Sequence, residues 1–227
     1  MQEVLIATVI WLVTHLGISS TPLRRVITGA IGEGLYLGLY SLLAAASLGY
    51  LIWVYTDVPR FDYLWLPNPD LYWVAKLTMP GAFILMLGGF MVKNPTAVGV
   101  RIEDPAQAAE LARGVTRITR HPLQWAIIIW GIGHIVANGD NVSVVFFSGF
   151  LILSLAGSVL MDVKKAASLG EAWTAYANVT SNVPFVAILA GRNRLDFKEL
   201  IMPIGAGLIV YAIAYYFHET YTGSIVI

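Results

Sequence analysis

Apolar residues run in long unbroken stretches along this chain, and polar residues gather in short clusters between them. The stretches cover residues 4–18, 35–55, 71–92, 122–137, 142–161 and 200–217. They lack the period-two alternation of a half-buried strand, and most approach the roughly 20 apolar residues that a membrane-crossing helix needs. In lipid a helix satisfies its own backbone. The pattern therefore predicts an all-α fold, a polytopic membrane helix bundle of about six transmembrane helices. The first and fourth stretches are short and must extend into their polar flanks. Pro80 interrupts the third and should kink it, freeing the carbonyl of Lys76. Asn138-Gly139-Asp140-Asn141 reads as a tight turn, so stretches four and five form an antiparallel hairpin. Gly131, Gly133, Gly149, Gly157, Gly205 and Gly207 would let helices approach closely.

Composition sharpens this picture. The chain of 227 residues is 57% hydrophobic and 12% charged, with mean hydropathy +0.70, against about 25% charged in a soluble domain. One integral membrane domain over residues 1–227 is expected. Net charge is zero, so nothing draws the chain toward nucleic acid, and membrane lipid is the expected partner. With no cysteine, disulfides, zinc–thiolate sites, iron–sulfur clusters and a cysteine nucleophile are excluded. The start Met-Gln-Glu lacks a basic flank, so no cleaved signal peptide is expected. Twelve of the fourteen basic residues fall in connections one, three and five, among them Arg24, Arg25, Arg101, Arg120 and Lys164. By the positive-inside rule these connections are cytoplasmic in a bacterial inner membrane, with both termini outside.

Two of the basic connections carry helical signals. Asp104-Pro105-Ala106-Gln107 reads as an N-cap, and the helix after it puts Ala108, Leu111, Val115 and Ile118 on one face. Residues 164–177 are similar, with Trp173 and Tyr176 as interfacial aromatics. Both are expected to lie as amphipathic helices in the membrane interface.

The candidate chemistry lies in the histidines. His15 falls nine residues before Arg24, about 13 Å below the surface if its helix continues to the basic pair. His134 falls fourteen residues after Arg120, about 21 Å down on the same reckoning. Both then sit near the middle of a core about 30 Å thick, where an imidazole is costly to leave unpaired. Two imidazoles on different helices suit a haem, whose porphyrin supplies the other ligands. Alternatively, each bonds a neighbouring backbone. His121 and His218 sit at opposite edges. Arg120-His121-Pro122 opens a helix, and its arginine and helix N-terminus make either an anion site or a head-group anchor. His121 could act as a general acid or base, although no partner is visible in sequence.

The run Thr116-Arg-Ile-Thr-Arg-His-Pro-Leu-Gln-Trp-Ala126, followed by Trp130-Gly-Ile-Gly-His134 and ending at Asp140, resembles the NnrU family of bacterial membrane proteins. Asp162, Lys164, Gly170-Glu171-Ala172-Trp173 and Thr180-Ser-Asn-Val-Pro-Phe185 extend the likeness. So do His15 with Ser19, Leu23 and Arg24, and Gly32-Glu33-Gly34-Leu35-Tyr36. The family is similar to the zeta-carotene isomerases of plants and cyanobacteria, multi-pass membrane proteins that hold haem b and isomerise a cis double bond of a carotene. The resemblance implies haem b (iron) between His15 and His134, both as metal ligands and as catalytic residues. It makes Arg120, Arg24 and Arg25, with His121, candidates for the cofactor's surroundings, and a lipid-soluble polyene the substrate. In the plant enzyme a cysteine stands three residues before the second histidine, where this chain has Gly131. The family name carries an association with nitric oxide and nitrite metabolism, so a haem protein of denitrification or electron transfer is the alternative. A more distant likeness, through Arg120-His121-Pro122, is to membrane methyltransferases that use S-adenosylmethionine. Their paired glutamates are replaced here by Asp162-Val163-Lys164-Lys165.

Overall fold

The computed structural model describes residues 1–97, 100 and 104–222; Arg101, one of the basic residues of the third connection, lies outside them. The described residues form helices and no sheet. Helix α1 (Gln2–Leu12) widens into a π turn (Val13–Ile18) and, after a bend of 71°, gives way to α2 (Leu23–Ile31). Next come α3 (Glu33–Asp57), α4 (Pro69–Met91), the short α5 (Pro105–Glu110) and α6 (Pro122–Asn138). The long α7 (Asn141–Val179), α8 (Val186–Leu189), α9 (Phe197–Tyr216) and α10 (His218–Thr222) complete the chain.

Four helices, α3, α4, α7 and α9, are long and apolar enough to cross a membrane. This is fewer than the six expected. Helix α6 has 17 residues, and α1 has 11 before its π turn adds 6. At about 1.5 Å per residue, 17 residues rise roughly 26 Å, short of a core of about 30 Å. The outward faces are what lipid requires: Leu42 is 69% exposed, Leu77 72% and Ile201 69%. Patches of this kind on a monomer mark a surface that water does not cover.

The hairpin between α6 and α7 forms as its sequence predicts. Gly139 takes φ +72°, which only glycine adopts without cost, and closes α6; Asp140 then caps α7 by accepting from the Ser143 amide at 2.8 Å. The loop after α3 is stitched to this turn. Leu64 N donates to Gly139 O (2.8 Å), Asn141 N to Asp62 O (2.9 Å) and Trp65 Nε1 to Val136 O (2.9 Å). These segments define one end of the bundle, the turn end. Arg24, Arg120 and Lys164 gather at the other, the basic end. Pro80 also acts as expected, since Tyr211 Oη on α9 donates to the freed Lys76 carbonyl at 3.2 Å.

Packing departs from expectation at several places. Gly133, Gly149 and Gly207 do admit neighbours: a Cβ on Gly207 would meet the Ile84 backbone at 2.7 Å, and one on Gly149 would meet Thr8 at 2.6 Å. Gly157 and Gly205 have nothing within 4 Å. The helix expected after Asp104 stops at Glu110, because Gly114 takes φ +53° and starts a separate 3-10 turn (Gly114–Arg117). Val115 in that turn is fully buried against Leu85, Ala126 and Leu200. Trp173 and Tyr176 are not interfacial either: they are 4% and 0% exposed and pack on Ala108 and Ala112. Gly170 (φ 53°) bends α7 and turns these two rings inward.

Candidate functional site

The basic end holds a cavity of about 670 Å³, within the roughly 300–1,000 Å³ of small-molecule sites. Its walls come from the α1 π turn, α2, α6 and α7. His15 and Leu16 face it from one side, Leu123 and Ile127 from another, and Arg24, Arg25 and Lys164 stand at its basic part. The π turn shapes the His15 wall. Side chains satisfy the carbonyls around it: Thr14 Oγ1 donates to Ile10 O (2.8 Å), Ser19 Oγ to His15 O (2.5 Å) and Thr21 Oγ1 to Gly17 O (2.5 Å). His15 Nδ1 lies 2.8 Å from Trp11 O. A carbonyl only accepts, so Nδ1 carries the proton and Nε2 the lone pair. This is how proteins hold a metal-binding imidazole.

The cations differ in how far they are paired. Arg24 donates to Glu33 and lies over the Tyr36 ring, 5.4 Å from its centroid. Arg25 and Lys164 have no carboxylate bonded to them among the described residues. Burial, and then the charge of Arg24, push the Lys164 ammonium below the usual lysine range. Two such cations on a largely apolar cavity favour an anionic group there.

Arg120 and His121 belong to a different cluster. Just past the apolar part of α7, Asp162 accepts from Arg120 Nε (2.9 Å) and Nη2 (2.5 Å), and from His121 Nε2 (2.6 Å). Asn182 Nδ2 adds a longer bond at 3.3 Å. The Arg120 carbonyl is held by Asn94 Nδ2 (3.2 Å) and Thr96 Oγ1 (3.1 Å). Burial pushes the Asp162 carboxyl up, but the His121 and Arg120 hydrogen bonds outweigh it and hold the group well below the usual carboxylate range. Arg120 is thus committed to a carboxylate of its own chain, and the cluster clamps the start of α6 to α7. His121 is fully buried, with Nδ1 unpaired among the described residues.

His134 stands apart from both. Its Nδ1 lies 2.8 Å from Trp130 O, the same arrangement as in His15. Its neighbours are Phe147 at 4.8 Å and His218 at 6.4 Å between ring centroids. Phe150 packs on both Trp11 (4.3 Å) and Trp130 (5.3 Å), which fixes the relative heights of the two histidines. His15 lies one turn from Trp11 toward the basic end, and His134 one turn from Trp130 toward the turn end. Four residues rise about 6 Å, so the imidazoles are roughly 12 Å apart along the bundle. Two imidazoles on one iron stand only about 6 Å apart, given metal–nitrogen bonds near 2 Å. The structure therefore does not bring His15 and His134 to a common iron. The equal depth expected from sequence assumed that α1 runs on to Arg24; the 71° bend ends it sooner. Nor do Gly131 and Gly133 bare a cleft beside His134. A Cβ on Gly131 would meet Phe147 O at 3.3 Å, and one on Gly133 would meet Thr78 Oγ1 at 2.9 Å.

The chain matches the model described as NnrU protein over residues 3–225. It belongs to the NnrU family. It is 29% identical over 231 residues to a chloroplastic 15-cis-zeta-carotene isomerase of Zea mays, and 27% identical over 237 residues to that of Arabidopsis thaliana. Each match covers 97% of this chain and 60% of the relative, so the chain spans three fifths of the length of these curated relatives. No solved structure matches.

Of the residues singled out in this family member, His15, Arg24 and Arg25 share the cavity, Arg120 and His121 share Asp162, and His134 sits with His218. Sequence reasoning missed Asp162 as their common partner, and Asn94, Thr96 and Asn182 as supports. An embedded Arg-His pair asks for a carboxylate, and Asp162 opens the next basic cluster after the hairpin; that was the available signal.

Proposed function

We propose that this NnrU-family chain is a membrane isomerase of a carotene-like polyene, with haem b seated in the cavity at the basic end. The observation that carries this reading is the cavity itself. It combines an imidazole with Nε2 left for a metal, apolar walls, and the cations Arg25 and Lys164 with no bonded carboxylate among the described residues. Those features match a flat apolar macrocycle that bears two carboxylates. His15 would be its axial ligand, and Arg25, Lys164 and Arg24 would neutralise its propionates. The bound haem supplies a reducible iron able to lend electron density to a neighbouring double bond and ease its rotation. The chain's own part is burial and orientation. Leu123, Ile127 and Leu153 line the apolar wall along which a polyene can lie, and the π turn keeps His15 facing it. The isomerase names of the relatives support the polyene as substrate. The segregation of basic residues supports six crossings of a bacterial inner membrane with both termini outward, α1 and α6 being the two short spans.

The test is expression in cells that accumulate 15-cis-zeta-carotene, with isomers resolved by chromatography under reducing conditions. Conversion by the wild type, lost in His15→Ala, is the expected result. Haem-loaded, reduced protein that converts nothing would end the isomerase reading; a colourless wild type would end the haem reading.

A further inference from the structure

His134 and His218 come from elements far apart in sequence, and their rings meet at the turn end. The ring centroids are 6.4 Å apart and the planes 30° from parallel. We infer that His134 and His218 are paired imidazole ligands of a first-row divalent metal ion of the copper class, at a site separate from the His15 cavity. Three observations bear on this. The first is the spacing. With metal–nitrogen bonds of about 2.0 Å, and about one ångström more from each nitrogen to its ring centre, opposed imidazoles put their centroids roughly 6 Å apart. The second is orientation. The Trp130 carbonyl holds Nδ1 of His134, and the Thr222 hydroxyl lies 3.2 Å from Nδ1 of His218. A nitrogen already bonded to a protein oxygen fixes which ring nitrogen faces the metal. The third is support for each ring. Asn138 Nδ2 donates to the His134 carbonyl at 2.7 Å, and Phe147 packs on the His134 ring. His218 opens α10, directly after α9 ends at Tyr216, and this change of direction brings its ring back toward α6.

No group of three or more histidine, cysteine or acidic residues among the described residues could hold a metal. The remaining coordination positions therefore go to water or to an exogenous ligand. Two opposed imidazoles with solvent in the other positions suit the tetragonal geometry of Cu²⁺, and copper also heads the affinity order of divalent ions at nitrogen sites. His218 lies at the end of the bundle and is partly exposed, so the ion can arrive from the aqueous side without crossing the core.

The test is titration of untagged, detergent-solubilised full-length chain with Cu²⁺, read by electron paramagnetic resonance and calorimetry. The wild type should take up one Cu²⁺ with hyperfine splitting from two imidazole nitrogens. His218→Ala and His134→Ala should each lose one nitrogen from the spectrum and at least roughly tenfold in affinity. His15→Ala should bind copper as the wild type does. Should His134→Ala fail to fold, His218→Ala alone decides, because its side chain lies at the periphery. Unchanged copper binding in His218→Ala, or loss of copper in His15→Ala, would overturn the site. Haem content of the same samples, read as the pyridine haemochrome, reports on the His15 cavity and keeps the two readings apart.

Discussion

His15 and His134 share one local device and differ in everything around it. Each ring holds the carbonyl one turn back at 2.8 Å, and each has a tryptophan at that earlier position. His15 opens onto a cavity with cations nearby. His134 is packed among Phe147, Trp130 and His218. Between them the rings of Trp11, Phe150 and Trp130 fill the bundle. A backbone-locked imidazole is thus cheap to build on an apolar helix, and its binding partner is decided by the neighbours that longer-range packing supplies.

The comparison can be broken most directly at its two centres. His15→Ala should reduce haem retention roughly a hundredfold, the upper range for disturbing a metal site, while His134→Ala keeps most of it. The Soret absorbance per mole of protein checks this, and equal loss in both variants would mean that the rings meet at one iron after all. The next largest effect is expected at the clamp. Removing one partner of a fully buried ion pair costs about 3–5 kcal/mol. The Asp162 side chain keeps 19% exposure, so Asp162→Ala should cost less, about 2 kcal/mol. It should lower the thermal midpoint without changing which histidine holds haem. The pH dependence has a definite sign. Asp162 is held below its unfolded value, so its contribution is fully present above about pH 4 and is lost as pH falls through the folded-state value.

Smaller effects sharpen the contrast. A Cβ at Gly133 would press on Thr78 and on the Ala75 backbone at 3.3 Å. Gly133→Ala should therefore cost about 1 kcal/mol by overpacking and disturb His134 more than His15. A tryptophan-fluorescence melt and the copper titration read these two consequences. Lys164→Ala should weaken haem retention only about twofold, the scale of one partly screened charge, with His134 unaffected. A haem off-rate measurement would show it.

Much of the scaffold was legible because lipid imposes long apolar runs. The hairpin at Gly139 and the carbonyl freed by Pro80 each stem from a single residue. The expected count of six exceeded the four long helices because α1 and α6 are too short by themselves, and sequence does not say how neighbours shelter a short span. The break at Gly114 had its signal in the glycine, and the bend after Ile18 had one in Ser19-Ser20-Thr21-Pro22. Reading a helix through both overstated the depth of His15 and put Val115 at a surface. The grouping of the site was not legible. Arg120 finds Asp162 forty-two residues on, and His134 meets His218 only after α9 has crossed and turned back.

The π turn has a consequence for how the cavity is encoded. An α-helix advances about 100° per residue, and a turn closed by bonds five residues back holds one residue more than an α turn. Helix α1 buries Val4, Ala7, Thr8 and Trp11 on one side, and the wide turn then shifts the phase of the residues beyond it. Deleting one residue between Val13 and Ile18 would leave the composition almost unchanged and still permit a helix, yet swing everything past that point by about 100°. The cavity's basic wall is set against His15 by a count of residues as well as by their chemistry. In this stretch, length variation is a stronger perturbation than substitution.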